Sequence, residues 1–293
     1  MMEIYCNAKL NLSFDITGTR EDGYHLVDTV MQSVDLHDTL TVIRTQGEDI
    51  EITSNDPSLP VDERNLVHKA AKLLAETYGV KHRGISVNIK KRIPVEAGLG
   101  GGSADAAGAL RALRLLWELD VGDDELAALG LELGADIPFC LRGGTARASG
   151  IGEVLTPLPP FPACFFVIAM PESGFSTAAA YRLIDEKSGY GHPSTEKLVA
   201  AIMSGDFDAA AKQFCSVFET SRVYGESRAM VEKMLMANAA GASMTGSGAA
   251  VFAAFHNEGD AAECAAYLKD DYRVFLAKPA IHGVFIGPCD NSC

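Results

Sequence analysis

The sequence predicts an α+β protein of two domains, on three observations. Strand-like alternation recurs through residues 1–93, a glycine-rich loop separates a strand from an Ala/Leu-rich helix over 84–119, and prolines crowd into 156–162 ahead of a second mixed set of strands and helices. Each element follows from its local pattern. Leu10, Leu12 and Phe14 share one face of a strand over 8–16, and residues 38–43 read as another. Between them, residues 17–23 carry Gly18 and Gly23 among turn formers and read as a loop, followed directly by Tyr24 and His25. Leu66, Ala70, Leu73 and Leu74 fall at helical spacing in a helix over 65–78, and Ile85, Val87 and Ile89 alternate in a strand over 84–93.

The loop at 94–103 then leads into a helix over 104–119, marked by Leu110, Leu113 and Leu116. After a second glycine-rich passage at 143–152, Pro157, Pro159, Pro160 and Pro162 cannot lie inside a helix or a central strand. The boundary between domains 1–158 and 159–293 is expected there. Beyond it the pattern gives a strand ending at Met170 and helices around 177–186, 196–203, 207–214 and 226–238. A glycine run at 241–248, a strand over 249–255, a helix near 261–269 and terminal strands complete the chain.

Composition narrows the function classes. With 293 residues, 47% hydrophobic and 22% charged, the chain has ample material for a core and is no disordered segment. Its 25 basic against 39 acidic residues leave a net charge of −14, which argues against general nucleic-acid or membrane-surface binding. A phosphate-bearing ligand then needs a local feature that overcomes the global charge. The seven cysteines are odd in number and form no Cys-x-x-Cys pair, so they read as reduced thiols of a cytoplasmic protein. Cys289 and Cys293 lack nearby histidines, and no metal site is expected. The N-terminus lacks the features of a signal peptide, and the longest apolar run, 163–170, is too short to cross a membrane.

Gly98, Gly100, Gly101 and Gly102 supply the local feature. So many glycines are destabilising unless the backbone must approach something closely. Placed before a helix, their N–H groups and the helix dipole suit a phosphate. Ser103 at the helix start can cap the helix or reach a phosphate oxygen or Mg²⁺. Neither a Walker A lysine, a Gly-x-Gly-x-x-Gly fingerprint nor the His-Arg-Asp and Asp-Phe-Gly signatures of protein kinases occurs at or around this loop.

The stretch Pro94-Val95-Glu96-Ala97-Gly98-Leu99-Gly100-Gly101-Gly102-Ser103-Ala104 instead resembles the phosphate loop of the GHMP kinase superfamily, which includes galactokinase, homoserine kinase and mevalonate kinase. Residues 8–12 (Ala-Lys-Leu-Asn-Leu) and 244–252, with Thr245-Gly246-Ser247-Gly248, resemble its first and third motifs in the same order. Glu96 stands where a small residue is common, and Ala249 where proline is common. The resemblance implies a two-domain fold, N-terminal ribosomal-protein-S5-domain-2-like and C-terminal ferredoxin-like. Within the superfamily, residues 18–25 and 134–139 resemble the branch that phosphorylates a cytidine diphosphate-linked methylerythritol on its 2-hydroxyl, in the non-mevalonate route to isoprenoid precursors.

The resemblance assigns roles. An alcohol acceptor needs a carboxylate base, and Asp136, set between Gly134-Ala135 and Ile137-Pro138, is the residue implied; a turn or helix cap is its bland alternative. Lys9, flanked by Ala8 and Leu10, needs a partner if buried, and the resemblance makes that partner Asp136. Asn11 shares the strand face of Lys9 and would bind substrate. Tyr24 and His25 are assigned to the cytosine, with Thr177 and Tyr181 on the opposite side, while Asn65-Leu66 and Lys91 would line the adenine pocket of ATP beside the loop 94–104. Asn65 could equally cap a helix, and Lys90, Lys91 and Arg92 are candidates for a local positive field. ATP with Mg²⁺ is the expected cofactor, the metal bridging phosphates. A monomer or weak homodimer with a small-molecule substrate is expected. Another alcohol kinase of the superfamily, or a nucleotide-binding protein without catalysis, stays open on the same residues.

Overall fold

A computed structural model describes residues 1–172, 176–187, 189–221 and 225–287. Its first sheet is built on a long hairpin, β1 (Met2–Thr19) against β2 (His25–Arg44), with β3 (Ile50–Ser54), β4 (Ile85–Lys90), β5 (Thr145–Ser149) and β6 (Val154–Pro157). Helices α1 (Leu66–Thr77), α2 (Gly101–Leu116), α3 (Asp123–Leu133) and α4 (Ile137–Arg142) fall between these strands in the chain. The second half contributes β7 (Phe165–Met170), α5 (Thr177–Asp185), α6 (Thr195–Ser204), α7 (Phe207–Ala211), β8 (Cys215–Ser216), α8 (Val217–Thr220) and α9 (Gly225–Met236). It ends with β9 (Gly241–Met244), β10 (Val251–Phe255), α10 (Glu258–Leu268), β11 (Arg273–Ala277) and β12 (Val284–Ile286).

The first sheet runs β12-β1-β2-β4-β3, with β5 extending from β2 to β6 and β8 lying parallel to β1. The second runs β11-β7-β10-β9 and is antiparallel throughout. In chain order its strands stand 4-1-3-2, with helices in the two crossovers, which is the ferredoxin-like arrangement. The architecture is therefore α+β, as the pattern predicts. The passage around residue 158 joins β6 to β7, and after it β8 and β12 both hydrogen-bond back onto β1.

The hairpin is longer than alternation suggests. The middle of β1 is buried on both faces: Lys9 and Asn11 alternate with Leu10 and Leu12, yet all four are buried. One face of β1 and β2 packs Ile4, Leu40 and Val42 against α1 and α2. Further along, Ala8, Leu10, Val30 and Val34 join Phe166, Ile168 and Phe252 of the second sheet in one core. Each fully buried leucine contributes about 1.5–3 kcal/mol, and this shared core holds the two sheets around the glycine loop. Residues 17–19 continue β1 instead of forming loop, and α2 starts three residues earlier than the leucine spacing indicates because Gly101 and Gly102 adopt helical geometry. The described residues contain no helix long and apolar enough to cross a membrane.

Candidate active site

Three backbone segments converge on one cleft of about 430 Å³: the middle of β1, the loop 94–103 with the start of α2, and the turn 246–247 after β9. The loop is held from both sides. Lys9 N–H donates to the Leu99 carbonyl at 3.0 Å, and Ala250 N–H donates to the Ala97 carbonyl at 3.2 Å. Two of its glycines are required by geometry. Gly98 has φ +76°, and a Cβ there would lie 2.6 Å from the Thr245 carbonyl oxygen; Gly100 has φ +70°, and its Cβ would lie 3.0 Å from Lys9 Cγ. A side chain at either place would be strained and would collide with a neighbour. Gly100 is the N-cap of α2, no side chain caps that helix, and its first N–H groups are left for an anion. Ser103 lines the cleft in the first turn, while Ala104 is buried behind it.

Lys9 is 5% exposed. Its Nζ donates to Asn11 Oδ1 at 2.5 Å and lies 3.6 Å from Asp136 Oδ2. Asn11 is fixed in turn: its Nδ2 donates to Thr29 Oγ1 at 2.8 Å, and its N–H donates to Thr245 Oγ1 at 2.9 Å. Asp136 occupies the N-cap position of α4, yet its side chain makes no capping hydrogen bond, which leaves the carboxylate, one third exposed, facing the cleft that it lines. A buried ammonium, an amide that orients it and a partly exposed carboxylate paired with that ammonium thus stand beside the glycine loop. The arrangement can take a proton from a hydroxyl and offset negative charge as it develops.

A second cavity of about 460 Å³ adjoins the first and shares Ala135, Ile151 and Tyr181 with it. Tyr24 and His25 line this cavity but not the first. The turn that presents them is braced. Arg20 N–H donates to the Tyr24 carbonyl, its guanidinium pairs with Asp22 at 2.5 Å and lies 5.3 Å from the Tyr24 ring centroid, and Arg20 holds the Asp22 carboxyl below the usual range. Tyr24 itself is 58% exposed, as an aromatic face awaiting a stacking partner would be. Helix α5 places Thr177 and Tyr181 one turn apart along the first cleft, and the Tyr181 ring lies 4.7 Å from that of His25. Burial pushes the Tyr181 hydroxyl well above its ordinary pKa.

Two residues are placed otherwise than their types suggest. Lys91 lines the cleft, but its Nζ is bound by two buried carboxylates, Asp38 and Asp105, the latter at 2.8 Å. It therefore adds no free cation to the field expected from residues 90–92. Asp38 also accepts the N–H groups of Arg92 and Ile93. Burial, reinforced by the Asp38 charge and opposed by Lys91, pushes Asp105 up to about 8, so the trio is close to neutral when Asp105 holds a proton. Asn65 caps α1, its Oδ1 accepting from Val67 N–H at 2.8 Å while its Nδ2 donates to the Pro60 carbonyl at 2.6 Å. Of the expected pair Asn65-Leu66, only Leu66 lines the cleft.

The sequence reading did not single out Asp185, whose Oδ1 lies 2.7 Å from His25 Nε2. The signal was present: 177, 181 and 185 are spaced by four along one helix face. Met31, Ile151 and Gly152 also line the first cleft and carry no motif. The five described cysteines are free, and burial raises those at 164 and 215, to about 12 and about 11, far from a reactive thiolate. Cys289 and Cys293 lie outside the described residues.

Known proteins resemble this chain along most of its length. The family profile "GHMP kinases N terminal domain" matches residues 65–144, and "GHMP kinases C terminal" matches 198–274. The chain belongs to the GHMP kinases. Among curated GHMP kinases, a 4-diphosphocytidyl-2-C-methyl-D-erythritol kinase of Clostridium novyi (strain NT) is 43% identical over 267 residues, 90% of this chain and 95% of its own. The protein of the same name from Clostridium tetani is 40% identical over 280 residues, 94% of this chain and 99% of its own. A crystal structure of 4-(cytidine 5'-diphospho)-2C-methyl-D-erythritol kinase superposes with TM-score 0.80 at 31% identity, covering 98% of this chain and 100% of that one. A homoserine kinase from Cytophaga hutchinsonii also reaches TM-score 0.80, covering 98% and 97%, but at 20% identity, so the fold by itself does not separate the acceptors.

Proposed function

We propose that this GHMP kinase transfers the γ-phosphoryl group of ATP to the 2-hydroxyl of 4-diphosphocytidyl-2-C-methyl-D-erythritol, in the non-mevalonate route to isoprenoid precursors. The relatives at 40–43% identity carry that name over nearly the whole chain. The observation that carries the chemistry is the pairing of Lys9 and Asp136 at 3.6 Å beneath the glycine loop. The adjoining cavity gives an elongated substrate room for a base beside Tyr24 and His25 while its acceptor hydroxyl meets Asp136.

In this reading the N–H groups at the start of α2 hold the nucleotide phosphates. Asp136 takes the proton of the acceptor hydroxyl as its oxygen bonds to phosphorus, and the bond from phosphorus to the departing ADP oxygen breaks. Lys9 pairs with Asp136 and offsets charge around the moving phosphoryl group, and Asn11 fixes Lys9. No group of three His, Cys, Asp or Glu side chains converges as a metal cage among the described residues. Mg²⁺ would come with the nucleotide and neutralise phosphate charge, and Ser103, which lines the cleft, is the residue that would help hold it. The reading includes a cytoplasmic location and a monomer or weak homodimer. It is tested by phosphorus NMR of the product: a new phosphomonoester on the cytidylylated substrate, formed together with ADP, supports it. An unchanged substrate spectrum under ATP and Mg²⁺ contradicts it.

A further inference from the structure

His25 and Asp185 meet across the two halves of the chain, Nε2 to Oδ1 at 2.7 Å, with side chains 14% and 56% exposed. A carboxylate accepts hydrogen bonds and cannot donate them, so Nε2 must carry the proton in this contact. In a neutral imidazole the other nitrogen, Nδ1, is then an acceptor. His25 lines the cavity beside Tyr24, whereas Asp185 does not, and Nδ1 has no protein partner among the described residues. The ring is also held from one side by Tyr181, on the same helix as Asp185 and one turn before it. Helix α5 thus fixes both where the His25 ring lies and which of its nitrogens carries hydrogen.

We propose that Asp185 is a positioning residue that sets base specificity: it presents His25 Nδ1 as an acceptor and so selects a pyrimidine with an amino group, not an oxo group, at position 4. The proposal rests on the reading that His25 meets the base of the substrate. A 4-amino group donates to Nδ1. A 4-oxo group at the same place sets two acceptors against each other, with neither satisfied. Sites that hydrogen-bond a substrate N–H or O–H discriminate far more strongly than apolar pockets, by roughly 10⁴-fold against an analogue that lacks the donor.

The test compares kcat/KM for the cytidine diphosphate-linked and uridine diphosphate-linked methylerythritols in the wild type, Asp185→Ala and Asp185→Glu. The wild type is expected to prefer the cytidine form by about 10⁴-fold. Asp185→Ala is expected to shrink that ratio at least tenfold, through KM for the cytidine form and not kcat, and Asp185→Glu to restore most of it. Nitrogen-15 spectra of His25 give a readout independent of turnover: Nδ1 unprotonated and Nε2 protonated in the wild type, a mixture of tautomers in Asp185→Ala. A wild type active on the cytidine form, with a ratio unchanged in Asp185→Ala or with His25 protonated on Nδ1, overturns the proposal alone. A wild type inactive on both substrates overturns the functional reading and the proposal together.

Discussion

Substituting Gly100 by alanine separates backbone strain from damage to the catalytic pair. Gly100 has φ +70°, and an added Cβ would lie 3.0 Å from Lys9 Cγ and 3.2 Å from Lys9 Cε. A left-handed conformation costs a non-glycine residue about 1–2 kcal/mol, and alanine recovers roughly 0.4–1 kcal/mol by restricting the unfolded chain. The net loss is therefore about 1 kcal/mol, a fall of a few degrees in Tm. Gly79 supplies the control: φ is +63°, nothing lies within 4 Å of its Cβ, and it follows α1, far along the chain from the glycine loop. By thermal unfolding Gly79→Ala should lose the strain alone, and Gly100→Ala at least as much, because its Cβ also crowds Lys9. Only Gly100→Ala should lose turnover, because Lys9 is buried, tied to Asn11 and unable to yield without moving from Asp136. A displacement on the order of 1 Å at a reacting group costs about 10²-fold in rate. Steady-state kinetics with ATP saturating would show it. Equal kcat in Gly100→Ala and Gly79→Ala would refute the claim that Lys9 is placed by contact with the loop.

Asp136→Asn should keep ATP affinity within a few fold and lose about 10²–10⁴ in kcat, measured by calorimetry and ADP release; near-normal turnover would remove Asp136 as the base. Tyr24→Ala should raise KM for the cytidylylated substrate about tenfold or more through lost stacking while leaving KM for ATP unchanged, and unaltered affinity would place the base elsewhere. Asp105→Asn addresses the trio with Lys91 and Asp38. Asp105 is pushed up to about 8 in the folded protein, so folding binds a proton between the ordinary carboxylate range and that value. The stability this contributes is present at low pH and is lost as pH rises through about 8. Urea unfolding from pH 5 to 9 should show the wild type losing stability relative to Asp105→Asn up to about pH 8 and no further. A difference independent of pH would mean that Asp105 stays ionised.

The chemistry-bearing segments were legible in the sequence because their residue types are dictated locally. Glycines at 98 and 100 are there because the backbone takes positive φ and neighbours leave no room for a Cβ, and that need shows as composition. Lys9 and Asn11 stood out as polar residues within an apolar strand. The extent of the hairpin was not legible, because residues 29–34 of β2 are all buried and do not alternate, and residues 17–19 read locally as turn formers. Short α4 was missed for another reason: its six residues are too few for a helical period, and they were legible only as a motif around Asp136. The fate of Lys91 depends on Asp38 and Asp105, which lie 53 and 14 residues away, and no local pattern announces such a partnership. Asp185 was within reach of helical spacing from Tyr181, but its partner His25 lies 160 residues earlier in the chain.

Which alcohol is phosphorylated decides most directly what this kinase does. The purified protein, given ATP and Mg²⁺, is offered the cytidylylated methylerythritol, homoserine and mevalonate in separate reactions, and ADP release is followed. ADP release with the cytidylylated substrate alone is the predicted result. Comparable release with homoserine or mevalonate would keep the phosphate loop and the Lys9–Asp136 pair but contradict the base cavity, and silence with all three would contradict the assignment of catalysis itself.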